Sequence, residues 1–189
     1  MVLRGDAVAC PCCGGRFRAF LAYPGGFCPG CGSYERHRLF ALLLERRPEL
    51  ARSRARLLHV GPEASTQRVL RRIGGLEYVA IDLDHPLATL EMDVRSLSFP
   101  DASFDLAVCF HVLMFLPDER DALRELARVV APGGTLIVAD PPGGREYGAA
   151  LAALDFEVEI VRPDTLCTAW AIERHGLLAD EWLYVCRRR

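Results

Sequence analysis

From residue 57 onward, short apolar runs alternate with stretches whose apolar positions recur every three or four residues. Leu57-Leu58-His59-Val60, Tyr78-Val79-Ala80-Ile81, Leu90–Val94, Phe104–Phe110 and Thr135–Ala139 are bounded by Gly, Pro or Asp. Such continuous runs predict strands buried on both faces, as in a parallel sheet. Helical patterns lie between them. Ser65–Ile73 ends at Gly74-Gly75, a suitable C-terminal stop. Asp118–Val130 carries Leu123, Leu126, Ala127 and Val130 on one face; Asp118 is placed to cap it and Ala131-Pro132-Gly133-Gly134 to end it. Strand, helix and strand from Phe104 to Ala139 predict one right-handed crossover unit. Beyond Asp140 the pattern changes: Tyr147–Leu154 reads as a short helix, and Phe156–Val161 and Trp182–Arg187 alternate like an antiparallel edge pair. The expected class is α/β.

The first fifty residues follow a different rule. Cys10-Pro11-Cys12-Cys13-Gly14 and Cys28-Pro29-Gly30-Cys31-Gly32 repeat the phrase Cys-Pro-x-Cys-Gly. Each Cys-x2-Cys turn aims two thiolates at one point, and together they complete a tetrahedral zinc shell. Cys10, Cys13, Cys28 and Cys31 are the expected ligands; Cys12 and His37 stand outside the set. A rubredoxin-type iron site has similar spacing. Arg16–Leu21 alternates like a short strand and Pro24-Gly25-Gly26 turns it back, so residues 1–34 read as a zinc ribbon that the metal must hold together. Ser33 is placed to cap a helix with a Leu39, Leu42 and Leu43 stripe, ended by Arg46-Arg47-Pro48. Residues 35–56 read as a linker helix and 57–189 as the main domain. Arg16, Arg18, Arg36 and Arg38 are expected on a solvated face.

Composition narrows the chemistry further. The chain has 189 residues, a formal net charge of −2 and 23 basic residues, all of them arginine. The charge gives no general pull toward nucleic acid or anionic membrane. Without lysine, Schiff-base catalysis and a Walker-type phosphate lysine are excluded. No export signal or membrane-length apolar run is visible, so eight cysteines suggest metal rather than disulfides, and a cytoplasmic location is expected.

The phrases Ser103-Phe-Asp-Leu-Ala-Val-Cys-Phe-His-Val-Leu and Leu123-Arg-Glu-Leu-Ala-Arg-Val-Val-Ala-Pro-Gly-Gly-Thr-Leu resemble the fourth and fifth strand region of class I S-adenosylmethionine-dependent methyltransferases. The two knuckles, Arg16-Phe-Arg-x-Phe-Leu and Glu35-Arg-His-Arg-Leu are similar to a bacterial subgroup with an N-terminal four-cysteine zinc-binding segment. The resemblance implies a Rossmann-like sheet ordered 3-2-1-4-5-7-6, strand 7 antiparallel, with S-adenosyl-L-methionine and Zn(2+) as cofactors. It implies cofactor contacts at the carboxyl ends of the strands. Gly61 opens the loop that wraps the methionine part, and His59 stands where the family has an acid. Glu63 and Ser65 replace two glycines; Glu63 either holds the cofactor's ammonium or is a surface helix-start residue. Asp82, ending the second strand, suits the ribose hydroxyls. Asp93 and the backbone N–H of Val94 are expected on adenine, and Phe110 and His111 beside the transferred methyl. His111 is the candidate base, with packing or a structural role as its other readings. Where the family often has Glu-His, this chain has Met114-Phe115.

These readings converge on methyl transfer to an unidentified acceptor. Two alternatives remain: a non-catalytic binding module with a degenerate cofactor loop, or an RNA-modifying methyltransferase gripping its substrate with the ribbon. Asp140-Pro141-Pro142-Gly143 resembles an amino-methyltransferase motif but follows the wrong strand, and is expected to be a rigid loop.

Overall fold

The computed structural model describes residues 3–21, 26–52, 54–140 and 146–189; the expected turn at Pro24-Gly25 and the loop Pro141-Pro142-Gly143 lie outside them. The N-terminal unit is a small antiparallel pair, β1 (Arg4–Ala9) and β2 (Arg16–Phe17), carrying both knuckles. The long helix α1 (Glu35–Arg46) leads into the main sheet. That sheet contains β3 (Arg56–Val60), β4 (Glu77–Asp82), β5 (Leu90–Glu91), β6 (Phe104–Phe110), β7 (Val130–Ala139), β8 (Phe156–Val161) and β9 (Leu183–Arg188). The helices α2 (Ala64–Leu70), α3 (Arg120–Val129), α4 (Gly148–Ala152), α5 (Pro163–Leu166) and α6 (Ala169–His175) connect them.

The strand order is β5-β4-β3-β6-β7-β9-β8. Five strands from β5 to β7 run parallel, and β9 lies antiparallel between β7 and β8. This is the order and the antiparallel strand expected from the sequence. The helices α2 and α3 supply crossovers long enough for parallel pairing, and β9, reached from β8 through α5 and α6, inserts antiparallel between β8 and β7.

Side-chain alternation gives the sheet two cores. Leu58, Val60, Ala107, Cys109, Leu136 and Val138 face Leu123 and Leu126 of α3 and Leu151 of α4. Leu57, Leu106, Val108, Phe110, Ile137 and Ala139 face α1, and the same core continues into Cys10, Cys28 and Phe17 of the N-terminal unit. Helix α1 therefore packs on the main sheet as part of this core. Leu39, Phe40 and Leu43 are fully buried, and Phe40 meets Phe110 edge-on with ring centroids 5.1 Å apart. Each such side chain contributes about 1.5–3 kcal/mol of burial.

Two expectations about α1 are corrected. Its cap residue is Tyr34, while the Ser33 hydroxyl lies 3.1 Å from Cys10 Sγ and caps no helix. Arg38 is buried completely and does not sit on a wet face. Its Nε donates to His175 O (2.6 Å), Nη1 to Ser33 O (2.7 Å) and Gly26 O (3.0 Å), and Nη2 to Gly176 O (2.8 Å). The guanidinium also stacks on Phe20 at 4.1 Å. One side chain thus fastens the N-terminal unit, α1 and the end of α6 together. Elsewhere the differences are boundaries. Helix α3 begins at Arg120, with Asp118 accepting from the Arg120 N–H rather than capping directly; the third strand of the main sheet is only Leu90–Glu91; and α2 stops at Leu70.

Candidate cofactor cavity and cysteine cluster

A cavity of about 610 Å³ opens at the carboxyl ends of β3, β4 and β6, lined by Gly61, Glu63, Asp82, Asp93, Phe110 and His111 among others. Its position follows from the sheet. Strand order reverses beside β3, so the loops after β3 and β6 diverge and leave a crevice. Gly61 sits at φ +63, and a Cβ there would lie 2.3 Å from Val112 Cγ2. Only glycine lets the β3 loop approach the β6 loop this closely.

Asp82 ends β4 beside this cavity; the Asp84 N–H donates to its Oδ1 at 3.1 Å, leaving most of the carboxylate's acceptor positions open. The Asp93 carboxylate instead takes hydrogen bonds from Arg95 N (2.8 Å), Nε (3.0 Å) and Nη2 (2.6 Å), and these hold it below its ordinary pKa. Val94 is buried next to it, and its N–H meets no acceptor among the described residues. Phe110 forms the buried floor.

His111 follows at φ +55, a left-handed conformation unusual for a residue with a Cβ. Its N–H donates to Ala139 O (2.8 Å), while Nε2 is buried without a partner among the described residues. Burial, aided by the positive Arg36, lowers its pKa to about 4. The imidazole is neutral near pH 7 and a much weaker base than an ordinary histidine.

His59 does not reach the cavity. Alternation along β3 turns it to the α1 face with Leu57, fully buried, where Nδ1 and Tyr78 Oη are 2.7 Å apart. Burial pushes its pKa down to about 3. The sequence position of the family's acid is thus filled by a neutral core residue.

Glu63 is held from outside the loop. Arg36 Nη2 lies 2.5 Å from Oε1 and His37 Nε2 lies 2.8 Å from Oε2. His37 Nδ1 accepts from the Tyr34 N–H at 3.0 Å, so the neutral ring carries its proton on Nε2 and donates to Glu63. Burial alone would raise the Glu63 pKa; hydrogen bonds from His37 and Arg36, with the Arg36 charge, outweigh it and bring the value to about 2. Ser65, the other residue replacing a glycine, donates to Cys31 O at 3.3 Å. Both substitutions therefore make contacts to α1 and the second knuckle. Sequence reading missed this because the partners lie 26 to 34 residues away.

In the N-terminal unit, the Sγ atoms of Cys10, Cys13, Cys28 and Cys31 all lie within 4.8 Å of one another. Cys10–Cys31 and Cys13–Cys28 are each 3.7 Å apart. A tetrahedral shell with metal–sulfur bonds of about 2.3 Å has sulfur–sulfur edges of about 3.8 Å. The two knuckles repeat in detail: Gly14 N donates to Cys10 O and Gly32 N to Cys28 O, both at 2.8 Å, with Gly14 at φ +72 and Gly32 at φ +71. Left as thiols, Cys28 is pushed up by burial, and Cys31 to about 12 by its Cys10 contact and burial. Only a cation would let such a group ionise together. Cys12 points away, its Sγ donating to His37 O at 3.2 Å.

Residues 58–138 match the sequence model of a family described as Methyltransferase domain. Among relatives, the chain is 33% identical over 89 residues to 27-O-demethylrifamycin SV methyltransferase of Amycolatopsis mediterranei, covering 44% of this chain and 32% of that protein. It is 48% identical over 48 residues to a 2-methyl-6-phytyl-1,4-hydroquinone methyltransferase of Synechocystis, covering 25% and 15%. The chain thus spans at most about a third of the length of these curated relatives. Among solved structures, the fold is similar to the N-methyltransferase NodS of Bradyrhizobium japonicum in complex with S-adenosyl-L-homocysteine. The TM-score is 0.57 at 21% identity, over 82% of this chain and 87% of that one. Residues 58–138 thus match a methyltransferase domain in sequence, and the chain shares the Rossmann-like fold of that solved structure. No helix among the described residues is long and apolar enough to cross a membrane.

Proposed function

We propose that this protein is an S-adenosylmethionine-dependent methyltransferase whose cofactor occupies the cavity at the carboxyl ends of β3, β4 and β6. The observation that carries the reading is Asp82: an acid ending the second strand of a class I methyltransferase sheet, with acceptor positions open toward that cavity. Bound S-adenosylmethionine supplies a methyl group activated by sulfonium. Asp82 accepts the two ribose hydroxyls, the Val94 N–H donates to the adenine ring, and Asp93 lies beside the ring's amino group. Gly61 lets the loop backbone close on the methionine part, and Phe110 shuts water out beneath it. Transfer from a sulfonium proceeds by positioning alone, so a neutral His111 of low basicity is compatible with it. His111 orients the acceptor or the cofactor rather than removing a proton.

The four thiolates of Cys10, Cys13, Cys28 and Cys31 bind zinc, which crosslinks two knuckles that lack a core of their own. The acceptor is a molecule presented to the open face of the cavity. Net charge argues against a nucleic acid chain there.

Calorimetric titration of zinc-loaded protein with S-adenosylmethionine tests this reading, with Asp82→Ala beside it. Two hydrogen bonds to a charged acceptor, at about 1.5–3 kcal/mol each, support a loss of about 100-fold or more in affinity. Equal binding by both proteins, or none by a folded wild type, would overturn it.

A further inference from the structure

The loop after β3 is where a glycine-rich turn was expected, yet it carries a paired cation and anion. Arg36 and Glu63 meet at 2.5 Å at the edge of the cavity, and both line it. Three features fix the guanidinium. It stacks on the Tyr34 ring at 4.9 Å, it rises from the first turn of α1, and its Nε and Nη2 face the Glu63 carboxylate. Its Nη1 has no acceptor among the described residues, although the side chain is only 12% exposed. The site therefore presents a held carboxylate and, adjoining it, a guanidinium edge with unused donors. That is the charge pattern that complements the zwitterion of an α-amino acid.

We propose that Glu63 and Arg36 together receive the amino-acid end of S-adenosylmethionine, Glu63 taking the α-ammonium and Arg36 Nη1 the α-carboxylate. The inference rests on the cofactor reading above and adds a residue from outside the methyltransferase domain. Arg36 lies in the first turn of α1, a short step beyond the second knuckle, and that knuckle also holds the loop through the bond from Ser65 to Cys31 O. The cysteine unit is then part of the cofactor site, and this explains why Glu63 and Ser65 stand where glycines were expected. Glycine would let the loop wrap the ligand but would offer nothing for α1 and the knuckle to grip.

The test compares binding of S-adenosylmethionine with its decarboxylated form, which keeps the ammonium and sulfonium but lacks the carboxylate. The protein is the zinc-loaded full chain. Wild type is expected to prefer the intact cofactor by about 10–100-fold, as one charge-assisted pair supports. In Arg36→Met this ratio should fall to about one, and in Arg36→Lys to an intermediate value, since an ammonium lacks the fork. A wild type that binds both ligands equally would overturn the inference while leaving the cofactor reading intact. So would an Arg36→Met variant that still discriminates. The wild-type ratio stands on its own if that variant does not fold. Binding of neither ligand to folded wild type would refute the cofactor reading and this inference with it.

Discussion

Replacing Arg38 by Met should cost about 3–5 kcal/mol. Among the described residues, the guanidinium donates to backbone carbonyls at Ser33, Gly26, His175 and Gly176. Each bond to a charged donor is worth about 1.5–3 kcal/mol, but burying the charge offsets much of the sum. What Met cannot do is donate to the carbonyls of Gly26, His175 and Gly176, each costing about 1 kcal/mol or more, while Ser33 O keeps the Cys28 N–H. Its aliphatic stem would keep part of the stacking on Phe20. For a chain of this length, about 1 kcal/mol shifts the melting temperature by about 2–4 °C, so Arg38→Met should melt roughly 10 °C early by circular dichroism. Arg38→Lys should fare little better, because one ammonium cannot reach acceptors on both sides of α1. A drop under about 3 °C in both variants would refute the view that this side chain fastens the N-terminal unit to the main domain.

Zinc content should separate the two adjacent cysteines. Cys12→Ser, whose hydroxyl can still donate to His37 O, should retain the metal by elemental analysis, whereas Cys13→Ser should lose most of it. Glu181 is 2% exposed, and burial, then repulsion from Glu35, raises its pKa to about 8. A folded state that keeps this proton while the unfolded chain gives it up near pH 4.5 loses stability as pH rises from about 4.5 to 8. The loss should be about 2–4 kcal/mol, and Glu181→Gln should remove that slope in urea titrations at pH 5 and pH 8; an unchanged slope would contradict it.

The sheet was legible because its strands are continuous apolar runs separated by helix-length spacers, a pattern that leaves few topologies. The cysteine cluster was legible because the repeated knuckle phrase carries its own geometry. Arg38 was not legible. An arginine among arginines reads as solvated surface, and two of the carbonyls that hold it lie 137 and 138 residues away, at His175 and Gly176. The same applies to Glu63 and Ser65, whose partners come from α1 and the second knuckle. Helix α6 could have been found: Thr168 accepts from the Ala171 N–H, and Gly176, left-handed at φ +58, ends the helix. His59 could have been placed too, since alternation along β3 puts it on the Leu57 face.

The most direct measurement is a crystal structure of the zinc-loaded protein soaked with S-adenosylhomocysteine. The account predicts density in the cavity between Gly61 and His111, with the ribose on Asp82 and the amino-acid end against Glu63 and Arg36. Density in the cleft at the opposite end of the sheet, beside Arg52 and Arg187, with the cavity empty, would contradict it.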